Sequence, residues 1–330
     1  MCGVLLFVTH SLLGKHGSRR LWYGCLLLFL SLTGGASVVQ ASPQYPNGQL
    51  VFMAGDASGV YHQFSDDLRR LGQLHGFDIV VKPSVGSLEN LMSIVNDDGV
   101  NVAFVQADVP SWIADRLLRS DRPGNDMRKF LVKVRAFYPL YDEMVQIVTR
   151  QGINTLADLK GRKVAMGSPK SGTFLTMGNI FQKENIQVEW VSLVGTDALT
   201  QLGEGKVDAV AMVSGYPIST FQLLEGKNYH LLPVVLTHAD PVYAPDEIPA
   251  NTYGWQKESV KTVSIKAILA TYDYTQEMPV CQRLIKFSEV LKKNMDWLRA
   301  NGHPRWQQVS LEYSDNGGKN FLRSHCISGY

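Results

Sequence analysis

The chain has 330 residues, 45% of them hydrophobic and 19% charged, and a formal net charge of +2. These proportions exclude a disordered chain and allow one large core or two medium ones. Near-neutral charge without a Lys/Arg cluster gives no electrostatic footprint for nucleic acid.

In chain order, Lys15, Arg19 and Arg20 come first, followed by an apolar run over residues 21–32 and then by small residues up to Val39, Gln40 and Ala41. That layout is a secretory signal peptide, 1–41, with cleavage expected near Ala41. An uncleaved anchor is the competing reading, and the run is short for a bilayer. Cys25 lies inside the run instead of at its end, which argues against a lipoprotein. Loss of the leader's three basic residues brings the net charge from +2 to about −1, so the basic pI belongs to the leader.

Short apolar runs then alternate with helical patterns, the signature of βαβ units and an α/β fold. Strands are expected at 50–53, 77–81, 102–105, 132–137, 145–148, 163–166, 188–193, 209–213 and 231–236. Helical spacing joins Val60, Phe64, Leu68 and Leu71, and again Leu88, Leu91, Met92 and Val95. Acidic doublets such as Asp66-Asp67 and Asp97-Asp98 read as solvated faces or turns. A long amphipathic helix is expected over 278–300.

The two halves echo one another. A strand leads into Gly55-x-x-Ser58-Gly59-x-Tyr61 and a helix; a later strand leads into Gly167-x-x-x-Ser171-Gly172-x-Phe174 and another helix. Two α/β lobes are therefore expected: 42–138 as the first part of lobe 1, 139–240 as lobe 2, and 241–330 returning to lobe 1 with a C-terminal helix and tail. Crossings between them are placed at 137–142 and 237–249, where Pro241, Pro245 and Pro249 interrupt regularity.

Catalytic and metal motifs fail on spacing. Ser58 sits in G-x-x-S-G instead of the G-x-S-x-G elbow, and Lys170 precedes the final glycine of 167–173, where a P-loop needs it afterwards. The histidines at 62, 75, 230, 238, 303 and 325 show no metal spacing. No catalytic residue, metal or cofactor is expected. Two helix starts with free N–H groups and a partial positive charge can instead grip one anion. The bland reading is that Ser58 and Ser171 merely cap their helices. Gly86, Ser87 and Asn90 open a third helix at the same sheet edge, and Gln106, Asp108 and Tyr216 follow strands that end there.

With the leader removed, two cysteines remain, Cys281 and Cys326. An even pair in an oxidising compartment admits a disulfide; two separate buried thiols are the other reading.

Six stretches together carry a resemblance: G-x-x-S-G-V-Y at 55–61, S-x-G-S-x-x-N-L at 84–91, V-Q-A-D at 105–108, D-L-K-G-R-K-V-A at 158–165, S-G-T at 171–173 and D-A-V-A-x-x-x-G-Y-P at 208–217. In this order they resemble the TAXI family of TRAP-transporter solute receptors. The resemblance covers the mature chain to about residue 240 and is looser beyond it. It implies a periplasmic protein of the type II periplasmic-binding-protein fold, two α/β lobes joined by a two-crossing hinge. Such a receptor acts as a monomer, captures a small anionic or zwitterionic ligand such as glutamate or 2-oxoglutarate, and hands it to TRAP permease subunits driven by an ion gradient. Carried over by motif, the ligand contacts are Ser58, Gly59, Tyr61, Gly86, Ser87, Asn90, Gln106, Asp108, Ser171, Gly172, Thr173 and Tyr216, with Tyr141 added from the lobe crossing.

Two departures stand out: Asp56 puts a negative charge beside the expected anion site, and Lys170 stands where glycine is common. The competing classes are an exported α/β enzyme using His62 with Asp56 or Asp108, and a stand-alone ligand sensor.

Overall fold

The computed structural model describes residues 48–96, 99–110, 112–113, 132–224, 228–313 and 322–327. The expected signal peptide, its cleavage site and the Asp97-Asp98 doublet lie outside them. The strands are β1 Leu50–Met53, β2 Ile79–Lys82, β3 Val102–Gln106, β4 Val134–Arg150, β5 Lys163–Ala165, β6 Glu189–Val191, β7 Ala209–Ser214, β8 Tyr229–Leu231, β9 Ala244–Ile248 and β10 Val260–Tyr272. The helices used below are α1 Val60–Leu74, α2 Ser87–Val95, α3 Gly172–Lys183, α4 Gly195–Gly203, α5 Ser219–Gln222, α6 Pro279–Lys293 and α7 Met295–Asn301.

Among the described residues the strands form one sheet in the order β2-β1-β3-β10-β4-β7-β5-β6, with β8 alongside β4 and β9 alongside β10. Two parallel groups, β2-β1-β3 and β7-β5-β6, are separated by the antiparallel strands β10 and β4. The first half of β4 pairs with β10 beside β3; its second half pairs with β7. β10 likewise meets β9 over Val260–Ser264 and β3 over Ala267–Thr271. Two long strands thus run through both lobes, which is the type II periplasmic-binding-protein fold.

The crossing expected at 137–142 lies inside β4. The stretch 237–249 is different: residues 244–248 form β9, and the second passage between lobes is β10 near Ser264–Ala267. Pro245 is tolerated there because β9 is an edge strand and needs no N–H on its open side. The single long helix expected over 278–300 is two, α6 and α7, which meet at Asn294.

Each lobe has its own aromatic core. Phe64 of α1 stacks on Trp306 at 4.4 Å and tilts against Tyr141 at 4.6 Å; in lobe 2, Tyr253 stacks on Trp255 at 5.3 Å and meets Phe221 at 6.0 Å. Cys281 of α6 is bonded to Cys326 across 45 residues, a loop whose closure stabilises by about 4 kcal/mol on chain-entropy grounds. The bond holds the tail where Ser324 N–H donates to Ala136 O at 2.8 Å. No helix among the described residues is long and apolar enough to cross a membrane.

Candidate ligand-binding cleft

The loops that leave β1, β5 and β7 open at the same sheet edge, and between the lobes they enclose a cavity of about 850 Å³. That volume suits a small organic molecule. Of the residues expected at the site, Ser58, Gly59, Ser171, Thr173 and Tyr216 line it.

On the lobe 1 wall, the loop before α1 folds on its own aspartate. Asp56 Oδ1 accepts the Ser58 N–H at 2.9 Å and the Ser58 Oγ–H at 2.5 Å, and Gly59 N–H donates to Asp56 O at 2.8 Å. This is an Asx-type turn, in which the short carboxylate satisfies backbone that the helix cannot. The charge that looked out of place beside an anion site is therefore the anion of that loop. Ser58 Oγ donates to Asp56 instead of pairing with His62, which faces Asp66 at 3.8 Å.

On the lobe 2 wall, Ser171 is the N-cap of α3, its Oγ accepting the Phe174 N–H at 3.2 Å. Thr173 Oγ1 accepts the Val213 N–H at 3.1 Å and ties the helix start to β7. Both hydroxyls line the cleft and hold the local fold at the same time.

Tyr61, Gly86, Ser87, Asn90, Gln106, Asp108, Tyr141 and Gly172 lie outside the lining. The physical reason is that the lobes touch directly behind the cleft. The starts of α2 and α3 abut: Leu88 and Glu89 N–H donate to Lys170 O at 3.1 and 3.3 Å. Gly86 sits at φ +128°, a conformation that L side chains rarely adopt, and a Cβ there would lie a tight 3.2 Å from Ser171 Cα. Ser87 Oγ accepts the Gln106 N–H, and Asn90 Nδ2 donates to Phe104 O at 2.7 Å. Two amides at the start of α2, those of Leu88 and Glu89, are thus occupied by a backbone carbonyl of the other lobe.

A polar chain continues along this contact. Asp108 Oδ2 accepts from Thr176 Oγ1 at 2.6 Å and from Tyr243 Oη at 2.9 Å, while Gln106 Oε1 accepts from Thr176 at 3.2 Å. Glu143 of β4 accepts the Tyr61 hydroxyl at 2.6 Å. Burial raises both carboxyls, Asp108 to about 6 and Glu143 to about 8, although their hydrogen bonds act the other way. Burial, followed by the charge of Glu143, also lifts the Tyr61 and Tyr141 hydroxyls well above their ordinary range. Tyr141 Oη is buried with no hydrogen-bond partner among the described residues.

Other residues at the cleft went unread in the sequence. Arg305, in the 3-10 turn Pro304–Gln308, lines the cleft while only 4% exposed. Its Nε donates to Tyr216 O at 3.2 Å, and its guanidinium carbon lies 3.6 Å from the Tyr216 ring centroid. Asp67, expected as a solvated acid, is 5% exposed and holds this turn. Its Oδ2 accepts the His303 N–H at 2.7 Å and the Trp306 Nε1–H at 2.8 Å. His303, also in the lining, accepts the Arg305 N–H on Nδ1 at 3.2 Å, and burial holds its imidazole below the usual pKa. A Pro one residue after a His near an amphipathic helix end was the available signal, and it is a weak one.

Similar solved structures include Tv2483 bound to L-arginine, at 14% identity over 80% of this chain and 93% of that one, with a TM-score of 0.47. A periplasmic sulfonate-binding protein of a sulfonate ABC transporter from Methylobacillus flagellatus KT is similar at 12% identity over 86% and 93%, with a TM-score of 0.48. An L-cystine ABC transporter protein from Listeria monocytogenes is similar at 13% identity over 82% and 99%, with a TM-score of 0.44. All are too distant to carry a ligand or a partner across. The profile of the NMT1-like family matches residues 52–312, the greater part of both lobes, and the chain therefore belongs to the NMT1-like family.

Proposed function

We propose that the protein is an exported, non-catalytic solute receptor that captures a small organic acid or amino acid between its lobes. It passes that solute to a membrane permease, and the TAXI-like motifs point to an ion-gradient-driven TRAP permease in the periplasm. The observation that carries the reading is the interlobe cavity of about 850 Å³, whose walls come from both lobes. A ligand there shifts the hinge equilibrium by touching the closed arrangement on both sides. Family membership in the NMT1-like group supports it.

The test is mass spectrometry of small molecules released from protein secreted in its native host, followed by calorimetry of the stripped protein with carboxylates and amino acids. The expected result is one stoichiometric solute recovered chemically unchanged after incubation. A folded protein that yields no solute and gives no binding heat across the panel overturns the reading, as does a solute converted to product.

A further inference from the structure

Among the described residues lining the cleft, Arg305 is the single Lys or Arg. Three of its contacts fix it in place. Nε donates to Tyr216 O, Nη1 donates to Gln308 Oε1 at 2.5 Å, and the guanidinium plane lies over the Tyr216 ring. Nη2 is buried and has no hydrogen-bond partner, and no carboxylate among the described residues forms an ion pair with the group. The guanidinium is a permanent cation. Leaving a buried cation without a counter-charge costs several kcal/mol, so the arrangement favours an anion brought from outside.

The surroundings decide which anion. Glu143 lies within electrostatic reach of Arg305, but burial pushes its carboxyl up to about 8, so it supplies little negative charge at neutral pH. Asp56, the single acid among the described lining residues, is taken up by the Ser58 N–H and O–H. Between these points the lining mixes apolar side chains, among them Val60, Leu193, Val194, Met212 and Ile218, with uncharged serine and threonine hydroxyls. One cation and an apolar body of this size suit one anionic headgroup. A dicarboxylate would bring a second charge beside Asp56, with no second Lys or Arg among the described lining residues to meet it.

We propose that Arg305 anchors the anionic headgroup of the solute, and that the solute is a monoanion with an apolar body instead of a dicarboxylate of the glutamate or 2-oxoglutarate kind. This rests on the reading of the cleft as a solute site. Where Arg305 lines the cavity, the headgroup forms a charge-assisted hydrogen bond with the guanidinium, which the Tyr216 ring holds flat for it. Residues of lobe 1 and lobe 2 then meet on one charge: Arg305 comes from the returning C-terminal segment, and Tyr216 from the loop after β7.

The experiment titrates the full secreted chain, stripped of bound solute, with hexanoate and benzoate, their amides hexanamide and benzamide, and the dicarboxylates succinate and 2-oxoglutarate. Monocarboxylates are expected to bind at least about 100-fold more tightly than their amides, the usual loss when one side of a buried charge pair is missing. Arg305→Met is expected to lower monocarboxylate affinity by a similar factor and to leave amide affinity within about threefold, with Arg305→Lys in between. The carboxylate-to-amide ratio of the unaltered protein reads charge dependence even where a variant folds poorly. Tighter binding of either dicarboxylate, equal binding of acid and amide, or unchanged monocarboxylate binding by a folded Arg305→Met protein each overturns the proposal while leaving a solute receptor. Silence toward all six compounds also overturns it; if no solute co-purifies either, the receptor reading falls with it.

Discussion

Gly172→Val is expected to weaken solute binding by about 10- to 100-fold and to enlarge the radius of gyration of the solute-free protein. A Cβ at Gly172 would lie 2.0 Å from Gln106 Oε1, 2.6 Å from its Cδ and 2.7 Å from Ser87 Oγ. Gln106 is 2% exposed, and its amide is held by Thr176 and by Val213 O at 3.4 Å, so it has no free volume into which to swing. Overpacking of this kind costs about 1–3 kcal/mol. Here the clash falls between lobe 2, which carries Gly172, and lobe 1, which carries Gln106 and Ser87, so separation of the lobes relieves it. The closed population falls, and apparent affinity falls with it. Gly178→Ala is the control, because a Cβ there meets nothing within 4 Å on the same helix. Small-angle scattering and calorimetry check both variants; a Gly172→Val protein with unchanged dimensions and affinity refutes the wedge.

The second large effect is on pH. Glu143 holds its proton in the folded protein up to about 8, against 4.5 when exposed. Between those values the folded state binds more protons than the unfolded one, so the free energy of unfolding falls as pH rises, by roughly 1 kcal/mol per unit. Stability is therefore expected to be highest near pH 4 to 5 and to decline by a few kcal/mol toward pH 8. Asp108, raised from 3.8 to about 6, adds to the lower part of that decline. Glu143→Gln keeps an acceptor for Tyr61 but removes the titration, so it should flatten the curve from pH 6 to 8 and make the variant the more stable protein at pH 8. Urea unfolding at several pH values checks this. A decline in Glu143→Gln as steep as in the parent would assign the linkage elsewhere.

What the sequence revealed follows its local signals. β1, β3 and β7 were legible because short apolar runs end at turn residues. β4 was read as two pieces because Pro139 and the polar Asp142 and Glu143 interrupt the apolar pattern. In the structure Pro139 sits opposite Ile268, next to a register shift between Lys266 and Ile268, where a ladder N–H can be spared. β10, central to the sheet, was missed altogether. Its partners are β3, β4 and β9, none adjacent to it in sequence except the short β9, so nothing local announces it.

At the cleft, the repeated Ser-Gly helix start directs attention to Ser58, Gly59, Ser171 and Thr173, which lie in its walls. Their part in holding a solute belongs to the proposal. Gly172 and Gly86 carry the same local pattern but serve the approach of one lobe to the other, a distinction that spacing cannot express. Arg305 was invisible for another reason: its partner Tyr216 lies 89 residues away, and the turn is set by Asp67, 236 residues from His303.

The bond from the start of α2 to Lys170 uses a main-chain carbonyl, which bears on timing and on which residues position 170 accepts. Any residue offers the same oxygen, so the lysine in place of glycine leaves this contact intact. On the proposed receptor reading, opening the lobes to release a solute requires the Leu88 and Glu89 amides to let go of that oxygen. Variants that loosen this clasp are then expected to speed exchange without altering any residue of the cleft wall.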